Sequence, residues 1–268
     1  MRTKSNVRVG ISIGDMNGIG PEIILKSLED PRVLELFTPV IFANSKIMSF
    51  FGNQFNIKLQ FNGITDASEA IEGKINVVNV WKENVKISFG EENKTIGGYA
   101  IQSLKAATQA LIKEDIDTLV TAPIHKNSIQ SDEFNFPGHT DYLAQELKGD
   151  SLMFMVSDII KVGLLTDHVP VKDVSSKITE ELIEKKVNAI HDSLKKDFNI
   201  REPKIAVLGI NPHSGDGGVI GEEDDEVLKP TIKKFIEEGK FVFGPYAADS
   251  FFGSKNNANF DAVIAAYH

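Results

Sequence analysis

Short apolar runs rich in β-branched residues alternate along this chain with segments whose apolar positions recur every three or four residues. The runs read as strands buried on both faces, and the recurrent segments as amphipathic helices. Strands are predicted at 7–13, 39–43, 57–61, 75–80 and 117–121, with the largely polar residues 62–73 as a loop. Helices are predicted at 23–28, from Ser45, and from Gly97-Gly98 onward, where Tyr99, Ile101, Leu104, Ala107, Thr108, Leu111 and Ile112 share one face. Further along come a helix at 141–147, a β-rich pair at 151–156 and 159–166, and an amphipathic helix at 179–194. Strands at 204–210 and 261–268 and a strand-like run from Phe241 complete the pattern. Such alternation predicts an α/β fold with parallel strands.

The stretch Asn211-Pro-His-Ser-Gly-Asp-Gly-Gly218 follows the apolar run 204–210 and holds a histidine beside glycines at a strand's carboxyl end. In open α/β sheets that edge is where ligands bind. His168 and His268 end two other strand-like runs in the same way. A lone histidine near a strand end is more often a hydrogen-bonding turn residue. Three in one setting instead predict a three-nitrogen metal site with an open position.

Several other stretches carry candidate chemistry. Gly14-Asp-Met-Asn-Gly-Ile-Gly-Pro-Glu22 is a glycine-rich strand-to-helix turn that either packs closely or brings backbone amides to an anion. Its spacing is not the dinucleotide fingerprint. Lys126, past a strand end, is either a solvated lysine or an anion-binding or proton-transfer group. His139 and Thr140 either cap the helix that follows or hold an anionic group at its start. Asp249 lies past the run that begins at Phe241. His191 is assigned to a helix surface. The acidic run 222–226 is read as compensation of a helix dipole, with metal binding there a minor reading.

The 268 residues suffice for one large or two smaller domains. Hydrophobic and charged fractions of 41% and 25% are those of an ordinary soluble globular protein. A net charge of -9 and a pI near 5.2 argue against nucleic acid or an acidic membrane surface as partner. The absence of cysteine excludes disulfides, thiolate zinc sites and a cysteine nucleophile. The amino end is too weakly apolar for a signal peptide, and no run approaches the roughly 20 apolar residues of a membrane helix. A cytoplasmic protein is expected.

Seven motifs in order give a specific resemblance that covers essentially the whole chain. They are the 14–22 turn, Thr121-Ala-Pro-Ile-His-Lys126, Pro137-Gly-His-Thr140, Thr166-Asp-His-Val-Pro170, the 211–218 stretch, Ala248-Asp-Ser250 and Tyr267-His268. With these the chain resembles the 4-hydroxythreonine-4-phosphate dehydrogenase family of vitamin B6 (pyridoxal phosphate) biosynthesis. The resemblance implies two α/β/α domains of isocitrate/isopropylmalate-dehydrogenase type, with the boundary set at 130/131. It implies that His168, His213 and His268 bind one divalent metal shared between the subunits of a homodimer, zinc first, with magnesium or cobalt as the other choices. By the same resemblance His139 and Thr140 contact substrate, Asp249 lies close to the metal, and Lys126 and Asp249 are the catalytic candidates. NAD or NADP would be the oxidant, with no cofactor-binding residue assignable.

The implied reaction oxidises 4-phosphooxy-L-threonine to 2-amino-3-oxo-4-phosphooxybutanoate, which decarboxylates to 3-amino-2-oxopropyl phosphate. Relatives acting on D-threonate or D-erythronate 4-phosphate form a second reading, and a catalytically silent metal-binding homologue a third. Two departures stand out. Met16-Asn17 replaces the family's usual Pro-Ala, expected only to reshape the turn. The sequence also stops at His268, where the family continues with a region that adds substrate and cofactor contacts and completes the first domain. A fragment is therefore expected.

Overall fold

The computed structural model describes residues 6–131 and 134–268. The first residues of the stretch tested for a signal peptide lie outside the described residues. In chain order the elements are β1 (Val7–Ser12), α1 (Gly20–Ser27), α2 (Val33–Leu36), β2 (Phe37–Ala43), α3 (Ser45–Gln54), β3 (Phe61–Ile64), β4 (Ile75–Asn79), α4 (Lys94–Ile112), β5 (Thr118–Thr121), α5 (Lys126–Ile129) and α6 (His139–Glu146). They continue with β6 (Phe154–Val156), β7 (Lys161–Leu164), α7 (Val174–Lys177), α8 (Glu180–Lys196), β8 (Lys204–Leu208), α9 (Lys229–Glu237), β9 (Phe241–Tyr246), α10 (Ala248–Gly253) and β10 (Ala262–Ala265). The expected α/β class with parallel-dominated sheets is what the chain adopts.

Two compact units divide the chain between Ser151 and Leu152, against 130/131 in the sequence reading. The intervening segment stays with the first unit because Phe134 and Tyr142 are buried against Ile101, Leu104 and Ile129. Burial of those rings supplies the apolar contact that holds the segment there.

The first unit is built on a sheet of order β3-β4-β2-β1-β5, parallel throughout. Alternation along β2 sends Ile41 and Ala43 to one core with Leu25, Met48 and Phe51, and Val40 and Phe42 to another with Ala107 and Ala110 of α4. Helices therefore cover both faces, as an all-parallel sheet requires. The second unit has the order β6-β7-β10-β8-β9, with only β6 antiparallel. Ile205 and Val207 of β8 pack toward α8 and α9, while Ala206 and Leu208 face Phe251.

Two strand predictions shift. The strand read at 57–61 forms instead at Phe61–Ile64, within the segment expected to be a loop. Its polar edge is satisfied sideways: Asn62 Nδ2 donates to Asn76 Oδ1 at 2.9 Å. Helix α4 begins three residues before Gly97, because the Asn93 side chain accepts from the amides of Thr95 and Ile96. The two glycines thus lie inside the helix, and one has a packing reason. A Cβ on Gly97 would stand 2.0 Å from the Ser128 carbonyl oxygen. Gly97→Ala should therefore cost about 1–3 kcal/mol by overpacking, read as a lower denaturant midpoint. An unchanged midpoint would contradict this close approach.

Candidate functional site

In the second unit three histidines and one carboxylate follow the carboxyl ends of four neighbouring parallel strands. His168 follows β7, His268 follows β10, His213 follows β8 and Asp249 follows β9. The expected common edge is present. Hydrogen bonds continue past the strands and hold the exits in step. Leu165 N donates to Ala265 O at 2.9 Å, and Thr166 donates through both N and Oγ1 to Ala266 O, at 3.1 and 2.8 Å. His168 and His268 each lie two residues beyond that junction. Gly209 N donates to Tyr246 O at 2.8 Å and registers the exits of β8 and β9.

The histidine loops are unusual in their backbone. His168 has φ +49°, and every residue from His213 to Gly218 has positive φ. For His213, Ser214 and Asp216, which are not glycine, each such conformation costs about 1–2 kcal/mol. His168, His213, His268 and Asp249 are all exposed. Imidazoles placed past one sheet edge are donors that zinc and similar divalent ions take. Among the described residues, however, no three His, Cys, Asp or Glu side chains come together closely enough to hold one ion.

The first unit places the remaining candidates. The segment after β5 is wedged between two glycines. Asp15 N donates to Pro123 O at 2.8 Å, and a Cβ on Gly14 (φ +69°) would stand 2.3 Å from that same oxygen. Gly97 admits the other end, as described above. Lys126 is thereby carried at the start of α5, exposed, beside His125, whose Nδ1 lies 3.0 Å from Ser128 Oγ. The glycine-rich 14–22 turn therefore has a packing role, whatever it binds.

His139 and Thr140 open α6 after Gly138, which is the capping position, and no side chain makes the cap bond. The capping alternative for His139 and Thr140 is thus replaced by Gly138. Thr140 is exposed, while His139 is half-buried and its Nε2 has neither solvent nor a hydrogen-bond partner. Burial holds this imidazole below its ordinary value of 6.5.

Three features escaped the sequence reading. Met16 is fully buried in the core, and the Asn17 side chain donates to Glu91 O at 2.8 Å and accepts from Ser88 N at 3.0 Å. This departure does more than reshape the turn: it fastens the segment ahead of α4 to it. The acidic run 222–226 does precede a helix, through a π-helical turn at Asp224–Leu228. Asp224 is nonetheless wholly buried and accepts from the amides of Ile210 and Asn211 at 2.9 Å each. Periodicity could have found it, because Asp224, Leu228, Thr231 and Phe235 form one buried helical stripe. His191, assigned to a surface, is half-buried, and burial lowers its pKa as well.

The sequence profile of the family described as pyridoxal phosphate biosynthetic protein PdxA matches residues 35–268. A 4-hydroxythreonine-4-phosphate dehydrogenase from Bacteroides thetaiotaomicron is 42% identical over 267 residues, 99% of this chain and 73% of that protein. A protein named as a putative D-threonate 4-phosphate dehydrogenase, from Oceanobacillus iheyensis, is 31% identical over 97% of this chain and 80% of its own length. The crystal structure of a 4-hydroxythreonine-4-phosphate dehydrogenase from Burkholderia phymatum is similar with a TM-score of 0.87 at 30% identity, covering 99% of this chain and 81% of that one.

The state of His139 gives a direct check. A depressed folded pKa means stability that is complete above 6.5 and declines as pH falls from there through the folded value. An NMR titration should place the His139 midpoint below 6.5, and His139→Gln should flatten the stability slope in that window. A midpoint above 6.5 would contradict the buried neutral imidazole.

Proposed function

The chain belongs to the pyridoxal phosphate biosynthetic protein PdxA family, and we propose that it oxidises 4-phosphooxy-L-threonine with NAD or NADP. It is a dehydrogenase, and its family implies a nicotinamide cofactor and a small phosphorylated substrate. The observation that carries the finer reading is the row of His168, His268, His213 and Asp249 at the ends of four adjacent parallel strands.

In this reading the three histidines, drawn from both subunits of a homodimer, hold a divalent ion, with zinc the first choice. That ion, when bound, would supply Lewis acidity at the C3 oxygen, favouring loss of the hydroxyl proton and polarisation of the ketone. Thr140 and the amides at the start of α6 bind the substrate's phosphate, where the helix dipole favours an anion. His139, kept neutral by burial, orients the substrate's anionic end from the start of α6. Lys126 Nζ, in its neutral amine form, would take the hydroxyl proton, and a bound nicotinamide would supply the hydride acceptor for C3. The β-keto acid then loses CO2. The electron pair of the broken bond goes to C2, and Lys126 returns its proton there to give 3-amino-2-oxopropyl phosphate. Asp249 offsets positive charge beside the ion.

Among the described residues no helix is long and apolar enough to cross a membrane, and a cytoplasmic location is proposed. A second reading, oxidation of D-threonate 4-phosphate, is favoured by the Oceanobacillus relative's name. The complete protein, assayed for reduced nicotinamide with each substrate, separates them. Turnover is expected with 4-phosphooxy-L-threonine at a kcat/KM about 10-fold or more above D-threonate 4-phosphate, a difference worth about 1.4 kcal/mol. The reverse preference would support the second reading. Metal binding with no turnover of any phosphorylated hydroxy acid would leave only a silent homologue.

A further inference from the structure

We propose that Glu223 and Asp224 are positioning residues that tie the loop carrying His213 to the segment following His168, and so preset two of the histidines; this rests on the metal reading above. Asp224 Oδ1 accepts from Ile210 N, and its Oδ2 accepts from Asn211 N and, at 3.1 Å, from Asn211 Nδ2. Glu223 Oε2 accepts from Asn211 Nδ2 at 2.8 Å, while Oε1 accepts from Ser175 Oγ in α7. One acidic pair thus holds the two residues that lead into His213 and reaches the helix seven residues past His168.

Compensation of the helix dipole does not account for this arrangement. A dipole asks only for negative charge near the helix start, which solvated side chains provide. Here both oxygens of a fully buried carboxylate are committed to donors from another loop. A buried carboxylate is costly unless so satisfied, and charge-assisted bonds are about twice as strong as neutral ones. The surrounding glycines make room for the clamp. A Cβ on Gly209 would stand 2.7 Å from Ser214 Oγ and 3.0 Å from Asp224 Oδ1, and one on Gly221 would stand 2.6 Å from Asn211 Nδ2. The clamp also has a task in proportion to its strength, since His213, Ser214 and Asp216 are held in left-handed conformations that tend to relax. Hydrogen bonds from Ser175 and Asn211 hold the Glu223 carboxyl below the usual carboxylate range, so Glu223 stays ionised at neutral pH.

The test uses the complete protein with Glu223→Ala, Ser175→Ala and the double variant. Glu223 is only half-buried, so these variants avoid the folding risk of removing Asp224. Without metal, amide hydrogen exchange in Glu223→Ala should accelerate in both 168–177 and 209–218. Acceleration in only one of those segments, or in neither, would overturn the coupling. Zinc affinity, measured by chelator competition, should fall about 10–100-fold in Glu223→Ala, the usual effect of losing a group that orients a ligand. The double variant should lose little more than Glu223→Ala alone, because both changes break one bridge. A lower melting temperature with zinc affinity unchanged would reduce the pair to a structural role and overturn the proposal. Wild-type protein that binds no zinc would count against the metal reading itself, and the exchange data would still decide the coupling.

Discussion

Parallel pairing of β7, β10, β8 and β9 is the constraint on which the rest depends. A strand with neighbours on both sides, such as β10 between β7 and β8, must match their register along its length to satisfy its backbone groups. Their carboxyl ends consequently fall along one line, and any residue a few positions past a strand is delivered there. Thr166 strengthens the match by giving two bonds to the carbonyl of Ala266. His168 and His268 inherit a common starting point from that junction. The histidine loops can then be irregular, because the sheet has already set where they begin.

The first unit solves its positioning problem by close approach. Gly14 and Gly97 remove side chains where the segment from Ala122 to Ser128 must pass, and Lys126 emerges between them. Ser103 Oγ, buried on α4, accepts from Ile13 N and donates to Phe42 O, tying the end of β1 and the helix to β2. Asn17 adds the segment ahead of α4 to the same assembly. Rigid elements thus surround the loop that carries the proposed proton-transfer group, which is what a site on a loop requires.

The strands that matter most were legible because they are short, apolar and rich in β-branched residues, a pattern that needs no tertiary context. The histidines were legible for the same reason, each following such a run. β3 was not, since Asn62 becomes acceptable in a strand only through Asn76 on the neighbouring strand. Asp224 was misread because five consecutive acids look solvated, and burial of one depends on donors some 13 residues away in the chain. The 130/131 boundary moved because Phe134 and Tyr142 find their core in α4, which local composition does not reveal. Left-handed backbone at His213 and Ser214 was likewise beyond a sequence reading, as positive φ is uncommon for any residue other than glycine.

The central claim is that His168, His213 and His268 serve one divalent ion, and diffraction addresses it directly. Crystals of the complete protein grown with zinc, measured on both sides of the zinc absorption edge, should show one strong anomalous peak per site. Three imidazole nitrogens, from His168, His213 and His268 of two subunits, should lie about 2.0–2.1 Å from it. A peak bound by other side chains, or none near these three histidines, would contradict the account.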